Sequence, residues 1–419
     1  MKPVSLTFAL DLLRPGKRVF IHAGPAESMT FADAVRADPD RFAGVDFVGV
    51  FIPGINTTDY ASLAPKALVT STFVSPPFAD SFRAGRVKFL PKAYSGMARH
   101  LSEFPPDVAV LHVSPPGPDG RMALGINQDY APIAARGAQQ IIALVNPRMP
   151  QVQGEQGLRP EDCAAIVEID EAIRPFPAAP PSGTLAKVGA NAATIIRDGD
   201  TIQIGIGKVQ SAVLANLFDR RDLGLHSGMI DDAIAVLADK GVITNARKSI
   251  DRGVSITGIA IGTEPALAFA QRPDVQFRDA FTTHGAGVLG SVDNFVAINS
   301  ALEVDLFGQC NAEMLGGRQV SGAGGFHDFL RGAGASKGGR GIVALPSSAG
   351  ETSRIVPVLA TPSIATGPRN DCDIVVTEHG IARLRDLHLD ARAEALIAIA
   401  HPAHRGMLTD AWREMRTKL

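Results

Sequence analysis

A chain of 419 residues has room for two or three domains at roughly 100–200 residues each, and one this long buries about three quarters of its unfolded surface without a disulfide or metal staple. With 41 Lys plus Arg against 43 Asp plus Glu and a formal charge of −2, it offers no broad basic surface for nucleic acid. Three widely spaced cysteines, Cys163, Cys310 and Cys372, suit a reducing compartment and give no zinc or redox spacing. Every apolar stretch is broken well short of the ~18 residues that span a bilayer, and the N-terminal stretch MKPVSLTFALDLLRPGKR lacks a small-residue cleavage site. The expectation is a soluble cytoplasmic protein with no nucleic-acid partner, no membrane partner and no metal.

From the N-terminus onward, short β-branched runs end in glycine turns and lead into alanine-rich helical stretches. RVFIHAG from Arg18 precedes MTFADAVRAD from Met29; DVAVLHVSPPGPDG from Asp107 and QQIIALVNPRMP from Gln139 follow. Near-continuous apolar runs of this kind are strands covered on both faces, so the fold class is α/β with mostly parallel sheets. Residues 174–183, RPFPAAPPSG, are rich in proline and lack any helical or strand period, which marks them as a linker. Beyond it the opening of the chain returns. PGKRVFIHAGPAESMTFADAV from Pro15 lies over DGDTIQIGIGKVQSAVLANLF from Asp198 at one offset, with Gly16 over Gly199, Gly24 over Gly207 and Ser28 over Ser211. Two pseudo-repeated α/β domains are expected, residues 1–180 and 181–419.

The turn IGIGKVQSAV, Ile204–Val213, fits neither familiar phosphate-binding motif. A dinucleotide fingerprint needs glycine where Gln210 stands, and a P-loop needs glycine at Ile202. What remains is a strand end with two glycines and amides at a helix start, able to approach an oxygen anion or simply to turn the chain. The second half continues with NSALEVDLFGQCNAEM (Asn299–Met314), SGAGGFHDFLRGAGASKGG (Ser321–Gly339) and ALPSSAGETSRIVP (Ala344–Pro357). Gly322, Gly324 and Gly325 either bare main-chain amides to a thioester oxygen or a pantetheine amide, or allow a tight crossing between layers. On the first alternative, the approachable backbone runs through Gly205, Ile206, Gly207, Lys208 and Val209, and again from Ser321 to Gly325.

Together with DVAVLHVSPPGPDGRMALG, IIALVNPRMPQVQG, LGLHSGMIDDAIAVLADKGVITN, DIVVTEHGIARLR and ALIAIAHPAHR, these segments resemble the acetyl-CoA hydrolase/transferase family, which includes 4-hydroxybutyrate CoA-transferase and acetate-dependent CoA-transferases. The resemblance covers nearly the whole chain. It implies two CoA-transferase-type α/β domains with CoA between them, a homodimer, acyl-CoA and a small carboxylate as substrates, and no permanently bound cofactor. It also implies ping-pong chemistry, in which a glutamate attacks the acyl-CoA and ends as a glutamyl-CoA thioester.

That glutamate normally stands in a stretch like H-T-E-M. Here the stretch is His226, Ser227, Gly228, Met229, so the nucleophile's position is Gly228, which has no side chain to form the intermediate. A lysine that commonly follows the family's P-S-T-A stretch is Gly350 here, after Pro346, Ser347, Ser348 and Ala349. G-I-G-x-I-P becomes Gly205 to Gln210, and G-G-Q becomes Gly324, Gly325, Phe326. A glutamate restored at 228 is expected to regain covalent chemistry if the loop keeps the family's path.

Other carboxylates could replace the missing one. Asp231 lies three residues past Gly228, beside Asp232, whose simpler reading is a charge stabilised at a helix start. Glu27 occupies the first half's glycine turn over Gln210. Glu303 and Asp305 match residues general to the family, with structural hydrogen bonding the simpler role. Cys310 is a thiol or a small core residue, and His226, His284 and His327 have no ligand spacing. The expected activity is CoA transfer between small carboxylic acids. The alternatives are acyl-CoA hydrolysis, with Asp231 or Glu27 as general base, and a silent CoA-ester binder or a subunit borrowing its nucleophile from a partner.

Overall fold

The computed structural model describes residues 2–419, which divide into two compact units. Unit 1 takes the chain up to Phe176 together with Ile256–Thr283 and Val320–Gly324; unit 2 takes Pro177–Ser255, His284–Gln319 and Gly325–Leu419. The units are interleaved along the chain, whereas the sequence reading has consecutive halves. Long-range hydrogen bonds hold the two later segments in unit 1. Gln128 N–H donates to Gly258 O (2.8 Å), Ala260 N–H to Ile126 O (2.9 Å) and Tyr94 N–H to Gly324 O (2.9 Å).

Unit 1 is built on seven strands: β1 (Arg18–Ile21), β2 (Asp46–Val48), β3 (Leu68–Ser71), β4 (Val87–Phe89), β5 (Val108–Val113), β6 (Gln140–Val145) and β7 (Ala165–Glu168). Their order is β4-β3-β2-β1-β5-β6-β7, and every pairing is parallel. Every residue of β5, VAVLHV, is buried, as a strand covered on both faces must be. Helix α1 (Met29–Ala37) follows β1, with the Ser28 hydroxyl capping it through Phe31 N–H. Residues 169–182 carry neither helix nor strand.

Unit 2 has six main strands: β8 (Thr201–Ile204), β9 (Gly224–Leu225), β10 (Phe295–Asn299), β11 (Arg340–Ala344), β12 (Ile374–Thr377) and β13 (Gly380–Arg383). Their order is β13-β12-β11-β10-β8-β9; only β12 and β13 pair antiparallel. Helices α2 (Lys208–Leu214), α3 (Asp232–Asp239) and α4 (Phe326–Ala335) follow β8, β9 and a glycine loop. Phe329 and Ala333 of α4 pack with Phe295 and Ala297 of β10 in one core cluster. At the strands' N-terminal ends, a buried Arg340–Asp200 ion pair ties the starts of β11 and β8 across β10.

The pseudo-repeat has a structural counterpart. At the offset that superimposes Gly16 on Gly199, Arg18 falls on Thr201 and Ile21 on Ile204, so β1 and β8 coincide end to end. Gly16 and Gly199 take φ of +79° and +81°, and Gly24 and Gly207 +62° and +142°, conformations that side chains resist. The helices diverge: Gly24–Ala26 forms a 3-10 turn and α1 starts only at Met29, while α2 starts at Lys208. Among the described residues no helix is long and apolar enough to cross a membrane.

Candidate active site

Parallel strands send all their C-terminal ends to one edge, where open α/β sheets take ligands in the loops. In unit 2 that edge carries Gly228 beyond β9, the Gly205–Lys208 turn beyond β8, Asn299 ending β10 and the Ser347–Gly350 stretch beyond β11. The first two are knitted together. His226 N–H donates to Ile202 O (3.1 Å), Ile204 N–H to Ser227 Oγ (3.3 Å) and Ser227 Oγ–H to Ile204 O (3.1 Å).

Ile206, Gly207 and Lys208 of the β8 turn are exposed, and Ile206 remains 48% accessible although apolar. Beneath the turn lies Gln210, only 4% exposed, with Oε1 unpartnered. A Cβ on Gly207 would come within 2.9 Å of that oxygen. Gly350 is exposed in a tight turn at φ +58° with nothing within 4 Å of its would-be Cβ. Ser347 donates from N–H (2.8 Å) and Oγ–H (2.7 Å) to the Glu378 carboxylate. Burial alone would raise the pKa of Glu378, but those bonds outweigh it and hold it below the usual range.

Gly228 is partly exposed and is not among the positive-φ glycines. Its constraint is a neighbour. A Cβ there would sit 2.7 Å from His284 Cε1 and 2.9 Å from Nε2; one on Gly325 would sit 2.7 Å from His284 Cδ2, 2.8 Å from Nε2 and 2.5 Å from Phe329 Cε2. The His284 imidazole thus fills the space between two residues that lack side chains. It is 3% exposed and stacks on Phe329 at 4.4 Å and 41°. Burial, with His226 nearby as a second cause, pushes its pKa down to about 3, so the ring is neutral at neutral pH.

The carboxylates weighed as substitutes are all engaged. Asp231 caps α3, its carboxylate accepting from Ile234 N–H at 3.0 Å, and burial raises its pKa; Asp232 is the first helical residue. Glu27 is a fully buried side chain of unit 1, accepting from Asn56 Nδ2 (2.8 Å) and Arg174 (3.0 Å). Glu303 accepts from Asn311 Nδ2 (2.9 Å). Asp305 holds a turn through Phe307 N–H (3.1 Å), Gln309 N–H (2.8 Å) and Gln309 Nε2 (2.7 Å). Cys310 is buried with Sγ 3.6 Å from Cys372 Sγ; that contact, then burial, raises its pKa. His327 Nδ1 lies 3.8 Å from Asp371. Among the described residues no group of three or more His, Cys, Asp or Glu could hold a metal.

The loop before α4 divides its glycines between two tasks. Within unit 1, Ser321 turns its hydroxyl to its neighbour Gly322 O (3.3 Å), and a Cβ on Gly322 would run into Thr72 O, so this glycine serves a close backbone crossing. Gly325 lies in unit 2 against the His284 ring. His284, Gln210 and Glu378 were not singled out as site residues from sequence. No local motif marks the first, which reaches Gly228 only in the fold.

The chain matches the acetyl-CoA hydrolase/transferase N-terminal domain over residues 10–176 and the C-terminal domain over residues 266–412. It is 35% identical over 402 residues to 4-hydroxybutyrate coenzyme A transferase of Clostridium kluyveri, covering 94% of this chain and 93% of that one. Among solved structures it resembles RipA from Yersinia pestis (31% identity, TM-score 0.92, 99% and 98% covered). It also resembles 4-hydroxybutyrate CoA-transferase from Porphyromonas gingivalis (32% identity, TM-score 0.78, 99% and 96% covered). Family match, extent of identity and fold agree: the chain belongs to the acetyl-CoA hydrolase/transferase family.

Proposed function

We propose that this protein moves CoA between small carboxylic acids, with an acyl-CoA as donor and a free carboxylate as acceptor. The observation that carries the reading is that Gly205–Val209, Gly228 and Gly350 lie in the loops after β8, β9 and β11 and Gly325 at the start of α4, the segments where the sequence resemblance expects a CoA-transferase site. Relatives named CoA-transferases support it. In this reading the backbone of Gly205, Ile206, Gly207 and Val209 lies along CoA, the exposed Lys208 ammonium meets its phosphates, and Gly350 contributes a further contact. A backbone N–H near Gly325 polarises the thioester carbonyl as an oxyanion donor. The chemistry needs no permanently bound cofactor, and we expect a homodimer.

Hydrolysis is the second reading, favoured by the missing carboxylate at Gly228: a site that cannot store CoA on a glutamate can pass the acyl group to water. The test is a panel of short acyl-CoAs with and without acetate or succinate, following both free thiol and newly formed acyl-CoA. New acyl-CoA that requires the acceptor supports transfer. Thiol release that ignores the acceptor supports hydrolysis, and tight binding without turnover contradicts both.

A further inference from the structure

Along α2, unit 2 opens a groove of about 310 Å³, inside the range of small-molecule sites. Ser211, Leu214 and Phe218 line it from α2 and the turn after it, Val236 from α3, and the proline-rich strap Ala178–Pro181 from the other direction. The fold leaves this apolar surface open: Phe218 is 49% exposed and Val236 38%. Two exposed lysines belong to the same face. Lys208 is the first residue of α2, and Lys240 Nζ lies 5.9 Å over the centroid of the Phe218 ring. Neither ammonium pairs with a carboxylate among the described residues. Lys208, Ser211 and Ala215 follow one another at helical spacing, so the groove continues the face that begins at the exposed Ile206–Lys208 turn.

We propose that this groove is the adenosine site of the acyl-CoA substrate, with adenine against Phe218 and Val236, the diphosphate at Lys208 and the ribose 3′-phosphate at Lys240. This rests on the reading that acyl-CoA lies along the Gly205–Val209 backbone, and extends it to the end of the molecule remote from the thioester.

The chemistry of the nucleotide matches the groove from end to end. Adenine is flat, uncharged and takes aromatic and aliphatic surface, while phosphates lie to either side of it; the groove is apolar along its middle and ends on a cation in both directions. Bases stack on exposed aromatic rings in this way, and unpaired ammonium groups at the ends draw in the phosphates. Asp232, the acid in the lining, keeps phosphate out of the middle and suits the exocyclic amino group of adenine. From Lys208 to Leu214 the helix rises about 9 Å, a step that a nucleoside and its phosphates can bridge. An apolar side chain from a second copy of this chain would cover Phe218 but leave both lysines without a counter-charge. Binding energy gathered here, far from the reacting carbonyl, can be used to hold the thioester in place.

Calorimetry on the full-length protein tests it with two ligands, CoA and 3′-dephospho-CoA, and two exposed-site variants. Phe218→Ser should weaken both ligands by about 5–100-fold, the worth of one stacked base. Lys240→Glu should weaken CoA about tenfold at low salt and less at high salt, and change dephospho-CoA by less than about twofold, because that ligand lacks the phosphate assigned to it. Wild-type affinities in both variants, or equal losses for the two ligands in Lys240→Glu, overturn the proposal. Unchanged CoA affinity with loss of self-association in Phe218→Ser gives the groove to a second copy and overturns it too. A measurement without variants is photolabelling of the wild type by a CoA analogue carrying azidoadenine. Label on the peptides that carry Phe218 or Ala178–Pro181 supports the proposal, and label confined to other peptides overturns it. If the wild type binds no CoA, the broader reading fails and this inference with it; CoA binding that survives both variants removes only the inference.

Discussion

Replacing Gly228 by alanine tests whether this site is rebuilt around His284. The new Cβ would lie 2.7 Å from Cε1 and 2.9 Å from Nε2 of a ring already held by Phe329 and by the Gly325 backbone. Ordinary contact begins near 3.4 Å, so the ring must retreat by about 0.5–0.7 Å into filled space. Overpacking of this kind costs roughly 1–3 kcal/mol, and at about 2–4 °C per kcal/mol for a unit of this size the melting temperature should fall by roughly 2–12 °C. Backbone strain adds nothing, because Gly228 is not at positive φ. The assay is a double-mutant cycle of Gly228→Ala and His284→Ala in denaturant. The second substitution should remove the penalty of the first, a coupling of about 1–3 kcal/mol. Wild-type stability in Gly228→Ala, or additive effects in the cycle, would refute the reasoning. The same geometry bears on a glutamate restored at 228, expected to regain covalent chemistry if the loop keeps the family's path: with His284 against that position, Gly228→Glu alone should form little glutamyl-CoA adduct, and Gly228→Glu with His284→Ala should form it.

His284 should also leave a mark in the pH dependence of stability. Its pKa falls from 6.5 in the unfolded chain to about 3 in the fold, so the unfolded state binds the extra proton in that window and stability is lost as pH falls through it. At pH 5 the loss from this residue is about 2 kcal/mol, and the stability advantage of wild type over His284→Asn should shrink by that much between pH 8 and pH 5, as read by urea titration. Glu27→Ala leaves Arg174 without its buried partner; it should cost about 3–5 kcal/mol while kcat of the folded protein stays within about twofold, since a catalytic group would cost far more. Lys208→Glu should weaken CoA-ester binding about tenfold at low salt and less at high salt, because an exposed charge acts through a screened field; calorimetry at two ionic strengths decides.

Much of the fold was legible because strands covered on both faces show themselves locally. VAVLHV of β5 and the constant offset that sets Arg18 on Thr201 needed no tertiary information. The interleaving of the units did not show, since Gly258 and Ala260 join unit 1 through bonds to Gln128 and Ile126, more than a hundred residues away. The site was half legible. Glycine spacing marked both Gly322 and Gly325 but not their different tasks, which depend on whether Thr72 O or His284 lies opposite. Asp231 was weighed as a nucleophile because a capping aspartate and a catalytic one look alike until Ile234 N–H is seen to occupy it. His284 reads as an ordinary histidine in TTHGAG; only the fold brings it against Gly228.

The central claim is that this chain transfers CoA although Gly228 leaves it no carboxylate at the position where the family resemblance sets the nucleophile. Borohydride treatment of the wild type during turnover, followed by peptide mass spectrometry, tests this most directly, because it reduces a glutamyl or aspartyl thioester to a stable alcohol. New acyl-CoA should form in an acceptor-dependent manner while the peptides carrying Gly228, Asp231, Glu27 and Glu303 remain unmodified. A reduced carboxylate on any of them, in step with turnover, would contradict the account and identify the nucleophile.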